Sequence, residues 1–159
     1  MEWSCEKFEA LSSHKLYEIL KLRVNVFVVE QNCPYPEIDG NDYEAIHVSY
    51  ADEKGIAAYT RLLPKGVKYE DPSIGRVIVR SDLRGTGIAH KLMENAVNYV
   101  LTEWQPEKIR LQAQTHLAKF YEKHGFEVIS EPYTEDQIPH VDMFYPALTI
   151  RKPSLQVRK

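Results

Sequence analysis

Apolar residues recur at intervals of three or four positions in three parts of the chain, which is the spacing of amphipathic helices. The first helix is predicted over residues 13–28, where Ser12 and Ser13 offer an N-cap. The second begins after Gly87, and its broad apolar face comprises Ile88, Leu92, Met93, Ala96, Val97, Val100 and Leu101. A third, shorter helix is predicted over residues 116–124 and ends at Gly125.

Shorter apolar and β-branched runs predict strands around these helices. The predicted strands are residues 3–8, 47–51, 56–63, 74–79, 108–113, 126–129 and 141–145. Residues 52–55 form a hairpin turn, and the second helix is a crossover long enough to make strand 108–113 parallel to strand 74–79. The order of elements predicts an α/β or α+β domain, with a mixed sheet and helices on its faces.

Length and charge exclude several classes of protein. The 159 residues predict a single domain over residues 1–150 and a basic tail over residues 151–159. A net charge of −3 argues against a nucleic-acid partner, and no apolar run approaches the ~20 residues that span a membrane. The N-terminus lacks the features of a secretory signal, so we expect a cytoplasmic protein. The histidine and cysteine spacings match no metal site, so we expect no metal.

A glycine-containing segment joins the predicted strand 74–79 to the second helix. It consists of Arg84, Gly85, Thr86, Gly87, Ile88 and Ala89. Glycines at such a junction let backbone N–H groups converge on an anion at the positive end of the helix dipole. A Walker loop needs Lys and then Ser or Thr after its second glycine, and a dinucleotide fingerprint needs a third glycine where His90 stands. The segment therefore predicts a phosphate-binding turn of another class.

Three sets of residues resemble known acyltransferases. Arg84, Gly87 and Ala89 match the Gln/Arg-x-x-Gly-x-Gly/Ala signature by which proteins of the GNAT superfamily bind acetyl-CoA. Residues 118–126 resemble the Phe-Tyr-x-x-x-Gly-Phe segment of many GNAT members. Further segments resemble the ElaA-like GNAT proteins, namely residues 26–35, 38–42, 74–79, 112–117 and 138–141. The resemblance therefore samples nearly the whole domain.

The resemblance implies a fold, a reaction and several site residues. The GNAT acyl-CoA N-acyltransferase fold has a mixed, mostly antiparallel sheet of about seven strands, with a central parallel pair and helices on both faces. The reaction it implies is transfer of an acetyl group from acetyl-CoA to a primary amine of a small molecule or peptide, by direct attack in a ternary complex. The pyrophosphate of coenzyme A would be bound by the backbone of Arg84, Gly85, Thr86, Gly87, Ile88 and Ala89. Main-chain groups of Ile78 and Val79 would align the pantetheine arm, and Tyr121 would donate a proton to the leaving thiolate. Homodimers are common in this superfamily.

The acceptor amine arrives as an ammonium ion, so a base must remove a proton before it attacks. We favour Glu30 or His116 as that base, and Asp39 and His140 are further candidates for the acceptor site. Each residue also has a plain structural interpretation, for example Asp39 as an Asx-turn residue before Gly40.

Other functions remain open. One is a regulatory module that binds acetyl-CoA without turnover, and another is an interaction domain whose glycine turn only begins a helix. A weaker likeness of residues 23–30 to acyl-homoserine-lactone synthases offers a different acyl acceptor.

Overall fold

The computed structural model describes residues 2–148, which form one eight-stranded sheet with helices on both faces. The strands are β1 (Glu2–Lys7), β2 (Ile46–Asp52), β3 (Gly55–Leu63), β4 (Ser73–Val79), β5 (Ile109–Gln114), β6 (Glu127–Val128), β7 (Tyr133–Glu135) and β8 (Ile138–Tyr145). The α-helices are α1 (Ser13–Val24), α2 (Ile88–Tyr99) and α3 (Ala118–Glu122). The predicted basic tail, residues 151–159, lies outside the described residues.

The strand order confirms a mixed, mostly antiparallel sheet with a central parallel pair. The order is β1-β2-β3-β4-β5-β8-β6, with β7 paired to β8. β4 and β5 are parallel, and the other paired strands are antiparallel. The described residues contain eight strands rather than about seven, because β7 is not predicted from the sequence. It has only three residues, and its turn into β8 is made by Asp136 and Gln137 rather than by glycine.

Successive side chains of a strand point to opposite faces of the sheet, and the apolar ones form a separate core on each face. Ala58 and Leu62 of β3 point into the larger core, which Leu92 of α2 also enters. Tyr59 points to the opposite face, where it packs with Ile19 of α1. The helices are therefore divided between the two faces, as the sequence predicts.

Helix one differs from its prediction at its C-terminal end. The α-helix ends at Val24, and the chain continues as a π-helical segment, Asn25–Glu30, instead of an α-helix to residue 28. A π-helical turn changes the direction of the side chains that follow it, and such turns are frequent at functional sites. Phe27 and Val28 of this segment line the cleft described below.

No helix within residues 2–148 has the length and apolar character needed to cross a bilayer.

Candidate active site

β4 and β5 separate to form a cleft in the middle of the sheet. They are paired at one position, Ser73 opposite Arg110. Beyond this pair, β4 contains a bulge at residues 76 and 77. Tyr59 lies opposite Ile78 and Arg61 opposite Gly75, so two β4 residues face one residue of β3. The cleft has a volume of about 280 Å³. The open parallel pair therefore provides a slot through the sheet, where an extended ligand can reach main-chain groups.

The glycine turn lies exposed at the N-terminus of α2. Gly87 is the N-cap with φ 89°, and Gly85 has φ 82°, a region of backbone conformation in which other residues are strained. The amide N–H groups of Gly85, Gly87, Ile88 and Ala89 have no acceptor in residues 2–148 outside the helix itself. The first N–H groups of a helix also lack partners within it. Several free donors thus lie at the positive end of α2, as an anion-binding turn requires.

The two predicted pantetheine-binding residues lie at the end of β4. Ile78 is buried on the α1 side of the sheet, and Val79 packs against the larger core. The carbonyl of Val79 accepts a hydrogen bond from Arg84 Nε at 3.0 Å. The β4 residues that line the cleft come just before them, from Ser73 to Val77. Main-chain groups of residues 78 and 79 therefore lie between the glycine turn and the cleft.

Tyr121 lies on α3 and lines the cleft, with 6% of its surface exposed. Its ring packs edge-on against Phe120 and Phe126, with centroid distances of 5.1 and 6.4 Å. Its hydroxyl has no hydrogen-bond partner among the described residues. Burial raises the pKa of the Tyr121 phenol well above its ordinary value, so the group stays protonated. Tyr121 is therefore a fixed, available hydrogen-bond donor inside the cleft.

Glu30 pairs with Arg84 of the glycine turn. Arg84 Nη1 and Nη2 donate to the two carboxylate oxygens of Glu30 at 2.7 and 3.1 Å. These hydrogen bonds lower the pKa of Glu30, which makes the carboxylate a weaker base. Both side chains border a separate cavity of about 260 Å³ rather than the cleft. Glu30 therefore links the end of helix one to the glycine turn.

His116 is exposed in the short 3₁₀ turn Thr115–Leu117, and it is not among the residues that line the cleft. Its neighbours Gln114 and Leu117 do line the cleft. The structure therefore brings Tyr121 into the cleft and leaves Glu30 and His116 outside its lining.

A buried charge network holds the segment between helix one and β2 against the sheet. Arg23 and Arg61 are 0% and 2% exposed, and both donate to Asp42 Oδ1, at 2.7 and 3.2 Å. Arg23 Nε also donates to Glu37 Oε2 at 3.0 Å. The sequence does not predict this network, because its members lie on a helix, a loop and a strand that are far apart in the chain. The one signal is the presence of charged residues inside otherwise apolar elements.

Asp39 is held by the same network. Arg61 Nη1 and Nη2 donate to its two carboxylate oxygens, each at 2.8 Å, in a bidentate pair. Burial alone would raise the pKa of Asp39, but the hydrogen bonds from Arg61 hold it well below its ordinary value. Arg76, at the bulge, donates to Glu37 Oε2 at 2.5 Å. Asp39 and Glu37 are therefore fixed anions that shape the cleft wall, and Asp39 is a poor proton acceptor.

Buried His47 supports this network from β2. A carbonyl oxygen only accepts hydrogen bonds, so His47 Nε2 donates to the Asp42 carbonyl at 3.0 Å and Nδ1 accepts from the Tyr59 hydroxyl at 2.7 Å. Burial lowers the pKa of His47. The imidazole is therefore neutral and ordered.

The opposite wall of the cleft is a polar network on β5, β7 and β8. Gln112 Nε2 donates to the Tyr133 hydroxyl at 2.8 Å, and that hydroxyl donates to Asp142 Oδ1 at 2.5 Å. Burial and the hydrogen bond to Asp142 raise the pKa of Tyr133 to about 12. The ring of His140 stacks on the Tyr133 ring, with centroids 6.3 Å apart and an interplanar angle of 23°. This wall therefore presents an ordered imidazole to the cleft.

Cys33 closes the cleft between these two walls. Its thiol donates to the carbonyl of Asp136 at 3.0 Å, and the side chain is buried. Within residues 2–148, no group of three or more His, Cys, Asp or Glu side chains is arranged to hold a metal ion.

Comparisons with known proteins give consistent results. The chain matches the family described as acetyltransferase (GNAT) domain over residues 16–145. Protein ElaA of Escherichia coli (strain K12) is 40% identical over 145 residues, which are 90% of this chain and 95% of that protein. Crystal structures of Escherichia coli ElaA and of an acyl-CoA N-acyltransferase from Pseudomonas aeruginosa each match with a TM-score of 0.85 at 39% identity. Each match covers 91% of this chain and 99% of the other.

A CoA-dependent acyl-homoserine lactone synthase shares the fold with a TM-score of 0.73 at 14% identity, over 97% of this chain and 88% of the other. These matches confirm the GNAT acyl-CoA N-acyltransferase fold and the resemblance to the ElaA-like proteins.

Proposed function

The chain belongs to the GNAT acetyltransferase family, and from that premise we propose that it transfers an acetyl group from acetyl-CoA to a primary amine. Membership of this family supports acyl transfer from coenzyme A. The choice of acetyl as the acyl group, of an amine as the acceptor and of direct attack as the mechanism is our proposal.

One observation carries the proposal. The free amide groups at Gly85, Gly87, Ile88 and Ala89 follow β4 in the chain, after a 3₁₀ turn over Ser81–Leu83. The same strand separates from β5, and Tyr121 lines the opening between them. An elongated thioester with a diphosphate at one end needs such an arrangement, since its anion and its reacting sulfur are far apart. The residues present therefore fit coenzyme A.

The chain contributes positioning and hydrogen bonding to the reaction. The glycine turn binds the diphosphate through its amide groups, and main-chain groups of Ile78 and Val79 align the pantetheine arm as an added strand would. The amine nitrogen attacks the thioester carbonyl, the new C–N bond forms, and the C–S bond then breaks. The hydroxyl of Tyr121 donates a hydrogen bond to the departing sulfur, where negative charge develops. A desolvated cleft strengthens that interaction.

Glu30 and His116 remain proposals for the acceptor side. The pairing of Glu30 with Arg84 favours a positioning role, in which Glu30 orients the glycine turn. His116 is exposed, and a relay through solvent would be needed for it to accept the proton.

The experiment is a binding titration followed by a turnover screen. We expect calorimetry to detect acetyl-CoA binding to the full chain, and we expect Gly87→Glu to abolish it, because the new carboxylate occupies the anion site. The strain of a side chain at this φ costs roughly 1–2 kcal/mol, which a folded domain tolerates. Gly66→Glu is the matched control, since Gly66 has φ 87° and equally open surroundings.

Turnover is then measured as thiol release with acetyl-CoA and a panel of amines. Binding without thiol release for any amine would favour the regulatory module instead. Unchanged binding in Gly87→Glu would remove the glycine turn from the site.

A further inference from the structure

We propose that His140 is the general base that removes the proton from the acceptor amine, through its Nε2 atom. This inference rests on the proposed function. From the sequence, Glu30 and His116 are the favoured candidates for this base. The inference instead assigns the role to a residue that lines the cleft.

The hydrogen bond of the imidazole defines which nitrogen is free. His140 Nδ1 lies 2.7 Å from the carbonyl oxygen of Ile138. A carbonyl oxygen can only accept, so Nδ1 carries the proton and Nε2 carries the lone pair in the neutral ring. Nε2 has no hydrogen-bond partner within residues 2–148. His140 thus presents an unoccupied proton acceptor, oriented by the backbone of its own strand.

The ring is held in place by its neighbours. In the sheet, His140 lies opposite Gln114 of β5 and opposite Tyr133 of β7. Tyr133 is the titratable group packed against the ring, and its hydroxyl is anchored between Gln112 and Asp142. That phenol stays neutral at physiological pH, since its pKa is raised to about 12 by burial and by Asp142. The base is therefore preorganised on a rigid wall of the same cleft that Tyr121 lines.

The carboxylates on the wall that contains the loop before β2 and the β4 bulge are already paired with guanidinium groups. Asp39 is paired with Arg61, and Glu37 with Arg23 and Arg76. The hydrogen bonds from Arg61 hold the pKa of Asp39 well below its ordinary value, so Asp39 is a poor base.

The remaining ionisable groups of the cleft are less suited to the role. Glu135 and Asp136 are exposed at the rim. Lys68 donates to Gln112 Oε1 at 3.1 Å, so it acts as a donor there. Among the described residues that line the cleft, His140 is therefore the partly buried base with a free lone pair.

The protons of the reaction balance with this assignment. The acceptor enters as an ammonium ion with three protons, and one passes to His140 Nε2 and then to water. The neutral amine attacks the thioester carbonyl. As the C–S bond breaks, the sulfur leaves as a thiolate that accepts a hydrogen bond from Tyr121, and a second proton passes from the nitrogen through solvent to this sulfur. The third proton stays on the amide product.

The test compares His140→Asn with the wild-type chain. Asn retains an N–H donor for the Ile138 carbonyl and removes the proton acceptor. The assay measures thiol release from acetyl-CoA with spermidine, L-lysine and 2-phenylethylamine as probe amines. We expect kcat to fall by roughly 10²-fold or more for the amine that the wild type uses, while the acetyl-CoA Kd changes less than twofold. His14→Asn is the control, because His14 is exposed on α1 and is not among the residues that line the cleft.

A second readout does not require turnover. In ¹⁵N spectra of the full-length wild type at pH 8, His140 should carry its proton on Nδ1 and none on Nε2. The opposite tautomer would overturn the proposal, and so would unchanged kcat in His140→Asn or a comparable loss in His116→Asn alone. A wild-type chain that acetylates none of the probe amines would count against the proposed function, while the tautomer still decides whether His140 can act as the base.

Discussion

Tyr121→Phe removes one hydroxyl from the cleft and leaves the rest of the side chain in place. The ring keeps its edge-on contacts with Phe120 and Phe126. The hydroxyl has no partner within the described residues, so its loss leaves no buried polar group unpaired. We therefore expect the free energy of unfolding to change by less than ~0.5 kcal/mol, as for a substitution that breaks no contact.

The effect on the reaction follows from the charge on the sulfur. A hydrogen bond to a charged group contributes about 1.5–3 kcal/mol, and each 1.36 kcal/mol of barrier is tenfold in rate. If Tyr121 donates to the developing thiolate, its removal should slow acyl transfer by roughly ten- to 10²-fold. The ground-state thioester carries no charge at sulfur, so acetyl-CoA affinity should change little.

The assay is a single-turnover measurement of acyl transfer, which excludes product release, together with calorimetric titration of acetyl-CoA. Tyr145→Phe is the matched control, because Tyr145 packs on Phe126 outside the cleft lining. A single-turnover rate within threefold of wild type would refute the role of Tyr121. A loss of acetyl-CoA affinity as large as the loss of rate would mean that Tyr121 only binds the cofactor.

Three further predictions concern the groups around the cleft. Asp42→Asn should lower the free energy of unfolding in urea by roughly 1–3 kcal/mol. It weakens the charge-assisted hydrogen bonds to Arg23 and Arg61, which keep Glu37 and Asp39 as counter-ions. A loss below ~0.5 kcal/mol would contradict the network. Burial lowers the pKa of His47 in the folded state below its value of about 6.5 in the unfolded chain. The neutral imidazole therefore stabilises the fold at pH values above about 6.5, and this stabilisation is lost as the pH falls below that value. Wild type should lose up to ~1.4 kcal/mol per pH unit more than His47→Gln in that window, and identical slopes would refute the neutral imidazole. Glu30→Gln should weaken acetyl-CoA binding severalfold in a titration and leave kcat within threefold, whereas a 10²-fold loss of kcat would restore Glu30 as the base.

Much of the fold could be predicted because its signals are local. Each signal is contained in a short stretch of sequence. Examples are the helical spacing of apolar residues before residue 28, the β-branched run at 74–79 and the glycines at 85 and 87. β7 carried no such signal, since three residues and a turn without glycine resemble a loop. The π-helical end of helix one was also hidden, because its side-chain spacing over six residues is close to that of an α-helix.

The residues of the candidate site also differ in how far a local sequence pattern can predict them. The glycine turn stands in a short segment whose spacing indicates anion binding, and Tyr121 stands in a short segment that resembles other GNAT proteins. The bidentate pairing of Asp39 with Arg61 and of Glu30 with Arg84 joins residues 22 and 54 positions apart, so no local pattern shows that these carboxylates are neutralised. The orientation of His140 depends on a hydrogen bond to its own backbone, which only three-dimensional structure shows. Local sequence patterns therefore say more about the proposed cofactor side than about the acceptor side.

The central claim is that the turn after β4 binds the diphosphate of coenzyme A through its main-chain amides. The most direct test is a titration of ¹⁵N-labelled protein with coenzyme A, followed by amide resonances. The account predicts saturable downfield shifts at Gly85, Gly87, Ile88 and Ala89, with smaller changes along β4. Saturable binding that leaves these four amides unshifted, or that moves only resonances elsewhere, would contradict it.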